Sequence, residues 1–473
     1  MSTTTENAAA SSRTAVATVE SETEPAASAD DPARSAVSAT TPRPVAAFGR
    51  AARRVGIPAG RSARIGFWSV VASHTITDVY PLFFATLVLA LRQDLALTSV
   101  QVGTIYAATS ILSGFPQGFF AWASDRFDTR LCAPLGLFLS AVCTSLIGFA
   151  DSFEQLLVLI SIGQLGSGMY HPIAAALAGQ VGGSVVRTGR AMAVSLFFAA
   201  GVIGGVVSPL ISTRMTAHWG MQSLVLLMIP GVITAAVLVF VLRGLNHRHA
   251  DHARIVSTLS PAEARRRWAA VGLLFGGNVM RFIVNSGLVI MFPIWAAARI
   301  PGDIPAATAL NANLLFAMQI GMGVFAIGVG RAIPAGREKP AMVTLSIVGA
   351  VFTAFVGFAG DHLGLWAIYL AAALSSLGFA AVLPMTIGLS QRLLPSRTGL
   401  ASSLMMGVAW SVGALAPAIA SLFMGGVALN EASSLPPDRI AAAFVGFAGL
   451  LLVAGLLGAA IPSRLLREVA VHS

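Results

Sequence analysis

The chain has 473 residues, of which 56% are hydrophobic and 11% charged, and its formal net charge is +10. A soluble domain carries about 25% charged residues, so this balance excludes an ordinary water-soluble protein and describes a polytopic membrane protein. The positive charge is no nucleic-acid signal. All but one of the 30 basic residues are Arg, the exception being Lys339, and their distribution over the loops matters more than their sum.

Residues 1–60 are rich in Ala, Ser, Thr, Pro and Glu and poor in large apolar side chains, the composition of a disordered tail. No apolar run follows Met1, so the segment does not read as a cleavable secretory signal. It ends in RAARRVGIPAGRSAR, a basic run that reads as a positive-inside stop or, alternatively, as a lipid-headgroup contact. Twelve apolar stretches follow, at about 66–91, 100–124, 131–150, 154–181, 188–212, 221–243, 268–297, 308–330, 340–360, 363–391, 398–427 and 439–462. Each is near the ~20 residues a spanning helix needs. The longest connection, Arg243 to Trp268, divides them six and six. The expected domains are therefore the tail 1–60, a first bundle 61–243, a linker 244–267, a second bundle 268–463 and a C-terminal tail 464–473.

The arginines set the orientation. With the N-terminal tail placed in the cytoplasm, 25 of the 30 basic residues fall on that side and 4 on the other, while Arg281 lies within a helix. A multi-pass inner-membrane protein with both termini cytoplasmic is expected. His247, His249 and His252 in the linker have no carboxylate or cysteine cluster to complete a metal site. Cys132 and Cys143 stand eleven residues apart on one expected helix, too far to pair there, and read as packing or lipid-facing residues. No metal and no cofactor is expected.

A weak repeat links the halves. SLFFAAGVIGGVVSPLIS from Ser195 and SLMMGVAWSVGALAPAIAS from Ser403 share Ser-Leu, then Gly205 and Gly413, then Pro209 and Pro417. An Arg-Thr-Gly precedes each, at Arg187 and Arg397. Two halves in the same orientation are the parallel-repeat plan of many secondary transporters.

Twelve helices, two halves and a long middle loop resemble the major facilitator superfamily, an all-α membrane fold around a central cavity. GFFAWASDRFDTR, from Gly118 to Arg130, stands where that family carries Gly-x-x-x-Asp-Arg-x-Gly-Arg. Asp125 and Arg126 match its Asp-Arg pair, while Asp128 replaces the second Gly. GVFAIGVGRAIPAGREK keeps Arg331, Gly336 and Arg337 in the second half, with Gly330 where an Asp is common. The resemblance implies a conformational gate built from Gly118, Asp125, Arg126, Arg331 and Arg337. Within the family, SHTITDVYP and GSGMYHPIAAALA resemble the fosmidomycin-resistance branch of efflux proteins, which carries Ser-His-x-x-x-Asp in its first helix and Phe-His-Pro-Glu in its fourth. Tyr170, His171 and Pro172 match; Ile173 replaces the Glu. Because the first, fourth and seventh helices line the family's cavity, the resemblance implies that Asp78, His171 and Arg281 meet around it.

A charge in lipid costs roughly 2.5–3.5 kcal/mol on insertion scales, so His74 and Asp78 must face the bundle, and their i, i+4 spacing puts them on one face. Two readings compete. Asp78 exchanges protons with His74 and His171 as partners, and Arg281 holds an anionic substrate; or these residues pair and fix helix register. Asn278, Asn285, Gln164 and Gln319 either contact substrate or form interhelical hydrogen bonds. Pro172, Gly201, Gly204, Gly205 and Pro209 shape the fourth and fifth helices, small residues permitting close packing. Enzyme signatures and nucleotide-binding motifs are absent. The expectation is a non-enzymatic, monomeric, proton-coupled exporter of small, anionic or drug-like compounds that binds no nucleic acid. Import of a small organic anion is the alternative, and a non-transporting sensor or assembly factor is the alternative of another class.

Overall fold

The computed structural model describes residues 59–124, 127–182, 184–186, 190–243, 260–333, 337–359, 363–428 and 435–470. The N-terminal tail, Asp125, Arg126, Arg187, the linker histidines and Gly336 lie outside the described residues, as do the side chains of Gly330 and Arg331.

Every regular element among the described residues is helical. The first expected helix is two, α1 (Ala59–Thr77) and α2 (Phe83–Asp94). Pro81 explains the division: it has no N–H, and its ring collides with the carbonyl four residues back. The first bundle continues with α3 (Ser99–Ser124), α4 (Cys132–Ser145), α5 (Phe153–Gly182), α6 (Arg190–Trp219) and α7 (Met228–Leu242). The second bundle comprises α8 (Pro261–Arg299), α9 (Ile304–Ala332), α10 (Glu338–Phe358), α11 (Leu365–Ser375), α12 (Leu383–Leu393), α13 (Thr398–Ser403), α14 (Ala409–Ser411), α15 (Ala416–Phe423), α16 (Pro437–Ala459) and α17 (Ser463–Ala470). A π-helical turn, Leu404–Val408, joins α13 to α14.

Ten of these helical runs are long and apolar enough to cross a membrane. The two expected spans outside that group are 66–91 and 100–124, observed over 59–94 and 99–124. The first is interrupted and carries Ser73, His74, Thr75, Thr77 and Asp78; the second carries Thr104, Thr109, Ser110, Ser113 and Gln117.

Two boundaries differ from expectation. The linker ends seven residues early, because Ser260 caps α8 by accepting from Glu263 N at 3.2 Å, with Pro261 at the first helical position. Such a cap and proline begin a helix independently of apolar content. The segment expected as a C-terminal tail packs onto the second bundle, where α17 lays Leu465, Leu466 and Val469 into a buried cluster with Val271, Leu274, Met342, Leu389 and Met405.

The bundles meet along two seams. In one, α3 runs against 404–423; in the other, α6 runs against α9. Small residues bring backbones together: a Cβ on Gly114 would lie 2.7 Å from Gly407 O, and one on Gly118 2.7 Å from Ser403 Oγ. Trp410 Nε1 donates to Ser113 Oγ across the first seam at 2.9 Å. Beside the second, Asn311 Nδ2 donates to Ala85 O at 2.9 Å.

Candidate functional site: a carboxylate between two imidazoles

Asp78 stands on the first residue past α1. Its N–H still bonds His74 O at 3.0 Å, but Val79 and Tyr80 close tighter turns, and Pro81 ends the ladder. A broken helix leaves carbonyls without partners, a costly state where lipid cannot supply donors. Neighbouring helices satisfy them. Ser208 Oγ of α6 donates to Val79 O, and Gln164 Nε2 of α5 donates to Pro81 O at 3.3 Å. Tyr80 Oη donates to Leu227 O at 2.9 Å.

The broken segment presents the Asp78 carboxylate to two imidazoles. His171 Nε2 of α5 lies 3.0 Å from Oδ1, and His74 Nε2 lies 3.3 Å from Oδ2. Each ring is anchored through its other nitrogen: His74 Nδ1 is 2.7 Å from Phe197 O, and His171 Nδ1 is 2.7 Å from Ser167 O. A carbonyl only accepts, so each Nδ1 carries the hydrogen and each Nε2 of a neutral ring offers a lone pair. Both lone pairs then face a carboxylate, which itself only accepts. The cluster is complete only with a cation, a proton or a metal, between these atoms. His74 also stacks on Phe197, with centroids 3.9 Å apart and planes 12° apart.

Glycines of α6 make room for this. A Cβ on Gly201 would stand 2.5 Å from Asp78 Oδ2 and 2.6 Å from His74 Nε2. One on Gly204 would strike Thr75 O, and one on Gly205 would strike Gln319 Nε2 of α9. Thr75 Oγ1 donates to Ala200 O at 2.8 Å, tying α1 to α6. Pro172 follows His171 inside α5, and Pro209 follows Ser208 inside α6.

Arg281 corrects the expectation that it joins Asp78. It is 3% exposed and turned into the second bundle, where Nε donates to Gly378 O at 3.2 Å and Nη2 to Ser346 Oγ at 3.2 Å. Longer contacts reach Asn278 Oδ1 and Ala454 O, both at 3.5 Å. Its partners are all neutral, and α10, α16 and the α11–α12 connection enclose it. The expected polar contacts separate similarly. Gln164 caps the broken helix. Asn278 Nδ2 donates to Thr386 Oγ1 at 2.9 Å and Met405 O at 3.2 Å, so it ties α8 to α12 and the π-turn. Asn285 is buried with Oδ1 unpaired among the described residues. Gln319 is half-buried at the seam between bundles.

Of the expected gate, Gly118 sits against Ser403 across a seam, and Arg337 is exposed just before α10. A buried Glu338 pairs with Arg392 at the same end of the second bundle. The sequence had not marked this pair, nor the Ser73–Tyr170 hydroxyl contact of 2.7 Å beside the cluster. Pro81, three residues past Asp78, was the available signal for the helix break.

Two helical bundles packed along paired seams, with ionisable groups clustered at a broken helix, define a membrane transport protein rather than an enzyme. The chain belongs to the Major Facilitator Superfamily, whose model matches residues 67–418. It is 24% identical over 363 residues to the fosmidomycin resistance protein of Escherichia coli (strain K12), covering 75% of this chain and 85% of that one. It is 23% identical over 387 residues to an uncharacterized MFS-type transporter, YfnC, of Bacillus subtilis (strain 168), covering 80% and 89%. Among solved structures it resembles a proton-dependent oligopeptide transporter at TM-score 0.64 and 13% identity, covering 85% of this chain and 99% of that one. A bacterial homolog of the human lysosomal transporter Spinster, inward-facing and occupied, matches at TM-score 0.60 and 14% identity, covering 85% and 96%.

Proposed function

We propose that the protein is a proton-coupled secondary transporter that exports small, anionic or drug-like compounds across the inner membrane by alternating access. It works as a monomer with both termini cytoplasmic and needs no cofactor beyond the proton gradient. One observation carries this reading: the Asp78 carboxylate is placed between two imidazoles, each with its Nε2 toward it, and among the described residues no Arg or Lys pairs with it. A fixed ion pair would use Arg or Lys. Imidazole is the partner whose charge changes in the physiological range. A proton held between Asp78 and His171 neutralises the cluster while it is closed, and opening to water on one side lets it leave. The likeness to a fosmidomycin resistance protein supports export, since removal of a drug confers resistance. Import of an organic anion would use Arg281 as the anion holder, and the bonds of that guanidinium are directed inside its own bundle. Asn285, with its unpaired oxygen, and Gln319 at the seam are the proposed polar substrate contacts.

Growth of expressing and deleted strains against a panel of toxic compounds identifies a substrate. Proteoliposomes with an imposed pH gradient then test coupling. Asp78→Asn keeps the shape and removes the titration, so the variant should insert and bind substrate but lose gradient-driven accumulation. Full proton-driven transport by a folded Asp78→Asn protein would sink the role assigned to Asp78.

A further inference from the structure

We infer that His74, Asp78 and His171 form a binding site for one divalent transition-metal ion of the zinc class, inside the first bundle. One donor atom from each of the three residues lies within 4.8 Å of the others. Ligands at roughly 2.0–2.1 Å from a tetrahedral zinc stand about 3.4 Å apart. The imidazole–carboxylate separations, 3.0 Å from His171 Nε2 to Oδ1 and 3.3 Å from His74 Nε2 to Oδ2, are close to that spacing, one at each carboxylate oxygen.

The anchoring of the rings points the same way. A ligating histidine donates its other N–H to a carbonyl or carboxylate, which fixes the tautomer and aims the lone pair. Both rings do so, toward Phe197 O and Ser167 O. His74 is 2% exposed, and its Nε2, aimed at the carboxylate, makes no hydrogen bond among the described residues. Gly201 leaves open the space beside Oδ2 and the His74 ring that any side chain would fill. Two imidazoles and one carboxylate leave a fourth position for water, as in open zinc sites. The side chains of Asp78 and His171 are 24% and 21% exposed, so an ion can reach them. Nitrogen donors favour zinc, cobalt or nickel over magnesium and calcium, which take oxygen ligands. The metal and the coupling proton compete for the same lone pairs, and a bound metal joins α1 to α5, so it inhibits transport.

The test uses the full chain purified in detergent, with Co2+ as the probe. One Co2+ per chain is expected, with the visible absorption of a low-coordinate site. Zn2+ should displace it and Mg2+ should not. His74→Gln, His171→Gln and Asp78→Asn should each weaken binding tenfold or more. The triple variant His247→Ala, His249→Ala, His252→Ala should keep it. No Co2+ binding by the wild type overturns the site, as does binding that survives loss of both His74 and His171, or binding lost in the triple variant. Should the cluster variants fail to remain monodisperse, the triple variant decides. A melting temperature raised by Zn2+ and not by Mg2+ supports the site, and no rise overturns it. A chain that couples substrate to protons yet binds no metal overturns this inference alone. One that binds Co2+ yet moves no protons overturns only the coupling.

Discussion

Gly201 shows how much a single hydrogen atom decides in this protein. Its missing Cβ is the space in which the Asp78 carboxylate and the His74 ring sit, so Gly201→Ala must push one of them away or separate α1 from α6. Overpacking of this kind costs about 1–3 kcal/mol. Gly201→Ala should therefore lower the melting temperature and abolish proton-coupled uptake into vesicles. Gly272→Ala, with nothing within 4 Å of the added carbon, should change neither. Equal behaviour of the two variants would refute the packing argument. At this scale the i, i+4 spacing turned His74 and Asp78 to one face inside the bundle, because ionisable groups amid apolar residues have few tolerable orientations, and the family resemblance implied that His171 meets Asp78. The sequence did not disclose the direction of Arg281. Asn278 and Asn285, three residues before it and four after, share its helix face, and that polar face can serve the seam or the bundle interior equally well. The role of Gln164 was hidden because it depends on carbonyls that only a broken helix exposes.

The elements that differ from expectation were legible in turn chemistry rather than in hydropathy. Pro81 announces the α1–α2 break, and Ser260-Pro261-Ala262-Glu263 announces the start of α8. The pattern of α17 was also present: Leu465, Leu466 and Val469 share one face, with Arg464, Arg467 and Glu468 on the other. Eight residues are too few for a span, which is why the segment read as a tail. Its apolar face completes the smaller buried cluster, so truncation after Pro462 should uncover Leu274, Leu389 and Met405. Leu465→Ala alone should cost about 2–5 kcal/mol, the range for a buried leucine, read as a fall in melting temperature. Arg464→Ala, an exposed residue with one surface ion pair, should cost less than about 1 kcal/mol. A Leu465→Ala chain as stable as the wild type would mean that α17 is not docked.

For the molecule as a whole, composition and the twelve apolar stretches were enough to indicate two helical bundles, since lipid leaves a spanning chain little choice but helix. The repeat between Ser195 and Ser403 also has a spatial counterpart. Each copy belongs to a helix that packs across to the other bundle, α6 onto α9 and the 398–423 segment onto α3. What the sequence could not convey was how closely these seams approach, because that depends on which face each glycine takes.

The contact of Gly118 with Ser403 makes the seam accessible to a removable covalent staple. Cysteines at those positions would have Cβ atoms near the ~3.8 Å that a disulfide requires, and the chain has only Cys132 and Cys143 to replace first. If the bundles must part here in every turnover, the Gly118→Cys, Ser403→Cys protein will stop transporting when oxidised and resume on reduction. Transport that continues through the staple would place the moving contact elsewhere. Two heavy atoms added at 118 and one exchanged at 403 thus turn a static packing detail into a switch that an experimenter can throw in either direction.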